Sequence, residues 1–179
     1  GMPVIFTPCA IPGTWVIDVE RNEDERGFFA RAWCSREFVA HGLCGELVQV
    51  SIAYSHRAGT LRGLHFQGGD NWEEKLVRCT RGAAFVVAVD LRKASVTFRK
   101  WCAVELTADN RRQFYVPQGC AQGYQTLEDQ TEVFYQMSRS YVPDAAAGVR
   151  YNDPAVGIQW PRRVTMISAK DLNWPDYVG

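Results

Sequence analysis

The run Gly59-Thr60-Leu61-Arg62-Gly63-Leu64-His65-Phe66-Gln67 gathers reactive side chains within one short stretch of apolar sequence. His65 is the one histidine of three inside a strand-like run; Arg62 precedes it by three residues and Gln67 follows it by two. Lys75 lies eight residues beyond Gln67. A proton acceptor that works near neutral pH, two cations and an amide donor thus share a hairpin-sized window. A cavity holding an imidazole, an ammonium and a phenol suits proton transfer beside a carbonyl. The imidazole takes a proton from carbon, the ammonium stabilises the enolate oxygen, and the phenol returns a proton from the other side. Tyr135 is the candidate phenol, because it shares a strand face with the apolar Val133 and Met137. Asp171, in Ser168-Ala169-Lys170-Asp171, is the candidate to orient the imidazole and fix its tautomer. The residues alone leave plainer roles open: a histidine hydrogen-bonded inside a barrel, a core tyrosine, an exposed acid near the C-terminus.

These side chains need a β scaffold, and the texture supplies one. Strands are expected at Thr14 to Val19, Phe28 to Trp33, Leu47 to Ser55, Leu61 to Gln67 and Lys75 to Arg81. More follow at Ala83 to Leu91, Thr97 to Leu106, Gln113 to Pro117, Gly123 to Leu127 and Glu132 to Arg139. The run from Ala83 is nearly all apolar, so both its faces should be covered. Turns fall at Gly68 to Asn71 and at Asp109-Asn110, the latter read as a hairpin turn. One short helix is expected from a Ser35 cap through His41, ended by Gly42, and a helical turn near Ala169 to Asn173. Short strands at this spacing predict an all-β sandwich, jelly roll or barrel. Arg62 and His65, three apart, would face opposite ways on a regular strand. Both can serve one pocket only if the strand bends or bulges, and Gly63 is the place for it.

The 179 residues suit a single domain, 1–179, with an N-terminal arm (1–13) and a C-terminal segment (144–179) packing back on the barrel. Twenty basic and twenty acidic side chains cancel, so no global field favours nucleic acid or an anionic membrane. The six cysteines form no C-x-x-C pair, and Cys34, Cys79 and Cys102 read as small buried hydrophobes. No signal-like segment opens the chain and no apolar span reaches membrane length, so a soluble, cytoplasmic protein is expected. Gly1 before Met2 reads as an expression scar.

A histidine on an inner strand of a jelly roll invites comparison with metal-binding cupins. Gly59 to His65 is similar to the start of their ligand motif. Their other ligand positions carry Gln67, Lys75 and Gln122. One histidine beside an ammonium does not supply the convergent donors a divalent ion needs, so no metal is expected.

Taken together the chain resembles the dTDP-4-dehydrorhamnose 3,5-epimerase family, the cupin-fold epimerases of deoxysugar biosynthesis. The resemblance runs from about Gly13 to Asp171. It rests on Asp24-Glu25-Arg26-Gly27-Phe28-Phe29, the Leu61 to Gln67 block, Lys75-Leu76-Val77-Arg78, Val87 to Arg92, Tyr135, Asn152-Asp153-Pro154 with Gly157 to Pro161, and Ser168 to Asp171. It implies a cupin-type double-stranded β-helix and a nucleotide-linked 4-keto-6-deoxyhexose, of dTDP type, as substrate. His65, held by Asp171, would remove a proton at C3 or C5. Lys75 would stabilise the enolate, and Tyr135 would reprotonate the opposite face. No cofactor or metal would be required. Arg62 and Arg26 would pair with the pyrophosphate, and Phe28 and Gln49 would lie near the nucleoside, with Gln67 and Gln122 as further substrate contacts. The resemblance also implies a homodimer whose Arg26–Phe29 strand reaches the partner's site.

Five positions depart from that family: Gln122 for a histidine, Arg31 for a glutamate, Ser51 for an asparagine, Gln136 for a lysine and Ser140 for an aromatic. The catalytic set is intact, so proton transfer reads as retained and substrate contacts as altered. Two rivals stand beside this reading: a metal-dependent cupin oxygenase or isomerase, and a non-catalytic module that binds sugar nucleotides.

Overall fold

The computed structural model describes residues 3–179; Gly1, read above as an expression scar, and Met2 lie outside the described residues. In chain order the strands are β1 (Ile5–Pro8), β2 (Trp15–Asp18), β3 (Asn22–Asp24), β4 (Gly27–Phe29), β5 (Gln49–Ser55), β6 (Thr60–Gln67) and β7 (Lys75–Arg81). They continue with β8 (Ala83–Asp90), β9 (Trp101–Thr107), β10 (Gln113–Val116), β11 (Cys120–Thr126), β12 (Thr131–Met137), β13 (Ala146–Gly148) and β14 (Met166–Ile167). Two short helices accompany them, α1 (Ser35–Ala40) and α2 (Ala169–Leu172).

Two sheets form a cupin-type jelly roll. The first runs β1-β2-β10-β7-β12-β5; the second runs β13-β6-β11-β8-β9, with β14 parallel to β6. A separate hairpin pairs β3 with β4. Between the sheets, Val77, Phe114, Val116 and Val133 from the first meet Val86, Ala88, Val104 and Leu106 from the second. The β8 run is apolar throughout because both its faces are covered. Val86 and Ala88 point into the inter-sheet core, while Val87 and Val89 pack under Val149, Val156, Ile158 and Trp160 of the C-terminal segment. Burial of each such side chain stabilises the fold by roughly 1.5–3 kcal/mol. α1 covers the outer face of the first sheet, where Phe38 packs with Leu76, Ile17 and Tyr115.

Several expectations need correction. The Gly68 to Asn71 turn does not join paired strands: β6 and β7 belong to different sheets and face each other across the interior. Asp109-Asn110 likewise carries the chain from β9 in one sheet to β10 in the other. Thr97 to Lys100 is turn, because Ser95 and Thr97 bend back to hydrogen-bond Asp90. The strand expected from Phe28 to Trp33 stops at Phe29. Cys34, not Ser35, is the residue before the first turn of α1, and Ser35 Oγ donates instead to the Gly45 carbonyl. Residues 5–8 of the N-terminal arm form an edge strand on β2, an element the alternation of the sequence did not reveal. All six cysteines are free; Cys79 is buried as expected, but Cys34 and Cys102 are only partly so.

Candidate active site

Two adjoining cavities open between the sheets, an outer one of about 310 Å³ and an inner one of about 130 Å³, sharing His65, Lys75 and Tyr135. His65 comes from β6 in one sheet; Lys75 and Tyr135 come from β7 and β12 in the other. The imidazole therefore approaches the space from one side, and the ammonium and phenol from the opposite side.

The β6 irregularity expected at Gly63 is present. β11 pairs Gln122 with His65 but Tyr124 with Arg62, so two residues of β6 are spanned by one of β11. Gly63 sits at φ +108, and a Cβ there would meet Gly123 Cα at 2.8 Å. The bulge resets the alternation, and Arg62 and His65 both line the inner cavity.

Asp171 is delivered by the C-terminal segment. β14 runs beside the start of β6 and leads into α2, whose Ser168 side chain accepts the Asp171 backbone N–H at 3.1 Å. The buried Asp171 carboxylate accepts three donors: His65 Nε2 at 2.7 Å and Trp174 Nε1 at 3.0 Å on Oδ1, and the Gly63 N–H at 3.0 Å on Oδ2. Burial pushes this carboxyl up, but the hydrogen bonds from His65, Gly63 and Trp174 outweigh it and hold the group below its ordinary value. An ionised Asp171 fixes the hydrogen on Nε2. That leaves Nδ1, which has no partner among the described residues, as the basic nitrogen.

Lys75 is buried, and its Nζ lies 3.4 Å from Glu73 Oε1. Burial pushes the ammonium below the ordinary lysine value, opposed by the Glu73 carboxylate. Burial likewise pushes Glu73 up, opposed by Lys75. Glu73 Oε2 and the hydroxyl of Tyr124 are buried without a hydrogen-bond partner. His65 is the sole imidazole lining either cavity among the described residues; Gln67 and Lys75 line the outer one, Gln122 and Lys75 the inner one.

The other expected contact residues divide. Gln49 lines the outer cavity, its Oε1 accepting the Tyr141 N–H at 2.8 Å. Gln67 also lines it, but its amide ties loops together: Oε1 accepts from Val142 N at 2.6 Å, and Nε2 donates to the Asn71 carbonyl at 3.0 Å. Gln122 lines the inner cavity. Arg62 bridges to β5, its Nε donating to Ser55 Oγ at 3.1 Å and its Nη2 to the Tyr54 carbonyl at 2.7 Å. Arg26 and Phe28 do not reach either cavity of their own chain. Arg26 is fully exposed and paired with Asp24, and the Phe28 ring lies beneath the Arg21 and Arg111 guanidiniums, at 4.7 and 5.0 Å. Arg31, the reversed charge, pairs with Glu37 of α1 at 3.1 Å.

Sequence reasoning missed Glu73 and Trp174. Glu73 is two residues before Lys75, the spacing that puts two side chains on one strand face. Trp174 is three after Asp171, one helical turn away.

A carboxylate-held imidazole opposite an ammonium and a phenol, enclosed by a jelly roll, is a cupin scaffold carrying groups able to move protons. The sequence profile of the dTDP-4-dehydrorhamnose 3,5-epimerases matches residues 8–178. The enzyme of that name from Salmonella typhimurium is 39% identical over 176 residues, covering 96% of this chain and 94% of the relative. The Bacillus anthracis enzyme, solved with TDP and PPi bound, superimposes with a TM-score of 0.92 at 37% identity, covering 99% and 100% of the two chains. A Legionella pneumophila epimerase solved with dTDP-4-keto-L-rhamnose gives 0.85 at 33% identity, covering 100% of each chain. The chain belongs to the dTDP-4-dehydrorhamnose 3,5-epimerase family, a family of isomerases.

Proposed function

We propose that this protein epimerises a dTDP-linked 4-keto-6-deoxyhexose at carbons next to the keto group. The observation that carries the reading is the placement of His65 opposite Lys75 and Tyr135 across one space. The keto group acidifies hydrogens on C3 and C5. His65 Nδ1 removes one, and Asp171 stabilises the imidazolium that forms. Electron density moves onto the keto oxygen, where the Lys75 ammonium stabilises the enolate. Tyr135, from the other sheet, donates a proton to the opposite face, which inverts the carbon. Gln49, Gln67 and Gln122 contact the substrate from the cavity walls.

The pyrophosphate and nucleoside need cations and an aromatic surface, which Arg62 offers inside and Arg26 and Phe28 offer outside. The latter two project on the β3–β4 hairpin, away from their own cavity. The β5 edge is unpaired among the described residues and exposes Val48, Val50 and Ile52, 51%, 48% and 61% accessible. These features support a homodimer in which the hairpin completes a second copy's site. The neutral charge and the absence, among the described residues, of a helix able to cross a membrane accord with a cytoplasmic enzyme.

The test is incubation with dTDP-4-keto-6-deoxyglucose in D₂O, following the sugar C3 and C5 proton signals by NMR. Loss of one or both signals as deuterium enters is expected. Full retention of both, with this and other nucleotide ketosugars, contradicts the reading.

A further inference from the structure

Glu73 lies on the segment entering β7, its carboxylate buried against the outer cavity. The segment is pinned: the Glu74 N–H donates to Ser138 Oγ at 2.8 Å, and Ser138 N–H donates to the Glu74 carbonyl at 3.1 Å. Glu73 Oε1 is 3.4 Å from Lys75 Nζ, and Oε2 has no partner. A buried carboxylate held this way is costly unless a charge compensates it. Lys75 is the one cation within ion-pair distance of it among the described residues.

The converse matters for chemistry. The charged and titratable groups around the cavities that Lys75 lines are Glu73 on its own segment with Glu74 beside it, His65 and Arg62 from β6, Tyr124 from β11, Tyr135 from β12, Tyr141 from the loop after β12, and Lys170 and Asp171 from α2. Two of these, Arg62 and Lys170, are cations that disfavour an ammonium. Asp171 already serves His65, Trp174 and Gly63. Glu73 alone is placed to keep Lys75 charged once the site is desolvated.

We propose that Glu73 is a positioning residue for the epimerase reaction: its carboxylate holds Lys75 as an ammonium beside the cavity and so sets the upper pH limit of enolate stabilisation. The inference rests on the function proposed above. Burial pulls Lys75 toward the neutral amine, and Glu73 opposes that pull. Neutralising Glu73 lets Lys75 lose its proton at lower pH, so activity falls earlier on the alkaline side. An opposite charge at this range is worth about 1–3 pKa units.

The experiment compares wild type, Glu73→Gln and Glu73→Asp. It records kcat for solvent deuterium exchange from about pH 6 to about pH 10, alongside the Lys75 Cε NMR titration. In Glu73→Gln the alkaline limb and the Cε midpoint should both fall by about one unit or more, with KM little changed. Glu73→Asp, which keeps the charge on a shorter arm, should fall between. Glu73→Gln with wild-type limb and midpoint overturns the proposal. If Glu73→Gln does not fold, an unchanged midpoint in Glu73→Asp overturns it instead. If wild type exchanges no label, the epimerase reading fails, and the Cε midpoints decide the Glu73–Lys75 coupling on their own.

Discussion

Two of the places where the molecule buries charge treat it in opposite ways. At the end of β8, Asp90 is fully buried and every lone pair has a donor. Oδ1 accepts the Arg92 N–H at 3.0 Å and Arg92 Nε at 2.9 Å; Oδ2 accepts Ser95 Oγ and Thr97 Oγ1, each at 2.6 Å. Burial alone would raise this carboxyl, but the donors hold it near 2. In the cavity, Lys75 has one partner at 3.4 Å, Glu73 has an oxygen with none, and His65 presents an unpartnered nitrogen. The first cluster is saturated and fixes a loop. The second is left incomplete, and groups with spare hydrogen-bonding capacity are the ones a substrate can complete. Both stretches were marks of the family resemblance, yet only one faces a cavity.

The contrast predicts opposite mutational signatures. His65→Ala should lower the deuterium exchange rate about 10²–10⁴-fold while leaving the urea unfolding midpoint nearly unchanged. Lys75→Gln should lower kcat about 10²–10³-fold, the range for losing one preorganised donor to a developing oxyanion. Asp90→Asn should do the reverse. It should lose about 1–3 kcal/mol of stability by urea denaturation and keep kcat within about twofold of wild type at permissive temperature.

The sign of the Asp90 pH dependence sharpens the same point. Its folded-state value is depressed, so its contribution is complete above the ordinary carboxylate value and is lost as pH falls from about 4 through about 2. The shift corresponds to about 2–3 kcal/mol. Urea midpoints across that window should fall for wild type, and that loss should be flatter in Asp90→Asn. The smallest effect is expected at the hairpin. Arg26→Ala should raise KM for the nucleotide sugar several-fold with no change in unfolding midpoint, because exposed ion pairs such as Arg26–Asp24 contribute little to stability.

Much of this was legible because it depends on local rules. The apolar β8 run required two covered faces. The three-residue spacing of Arg62 and His65 required a break, and only Gly63 could host it. The helical turn near Ala169 that carries Asp171 was legible, but the Ser168 cap that holds it emerged only in the structure. What the sequence concealed was which sheet each strand joins. β6 and β7 are neighbours in sequence, but the jelly roll sends them to opposite walls, and that crossing is decided by long-range pairing of β6 with β11 and of β7 with β10 and β12. The loop that replaces the expected strand at Thr97 to Lys100 was hidden for a similar reason. Its conformation is set by hydrogen bonds to Asp90, several residues back in the chain. The anchoring of Arg62 to β5, through Ser55 Oγ and the Tyr54 carbonyl, was equally hidden, because it joins strands of different sheets.

The central claim is that base and acid act from opposite walls of one cavity, and Tyr135→Phe tests it most directly. In D₂O with the dTDP-4-keto sugar, the account predicts that this variant still exchanges hydrogen for deuterium, because His65 can remove and return a proton on its own face, while inversion of the exchanged carbon is strongly suppressed. Exchange and inversion that remain locked together at the wild-type ratio would contradict it.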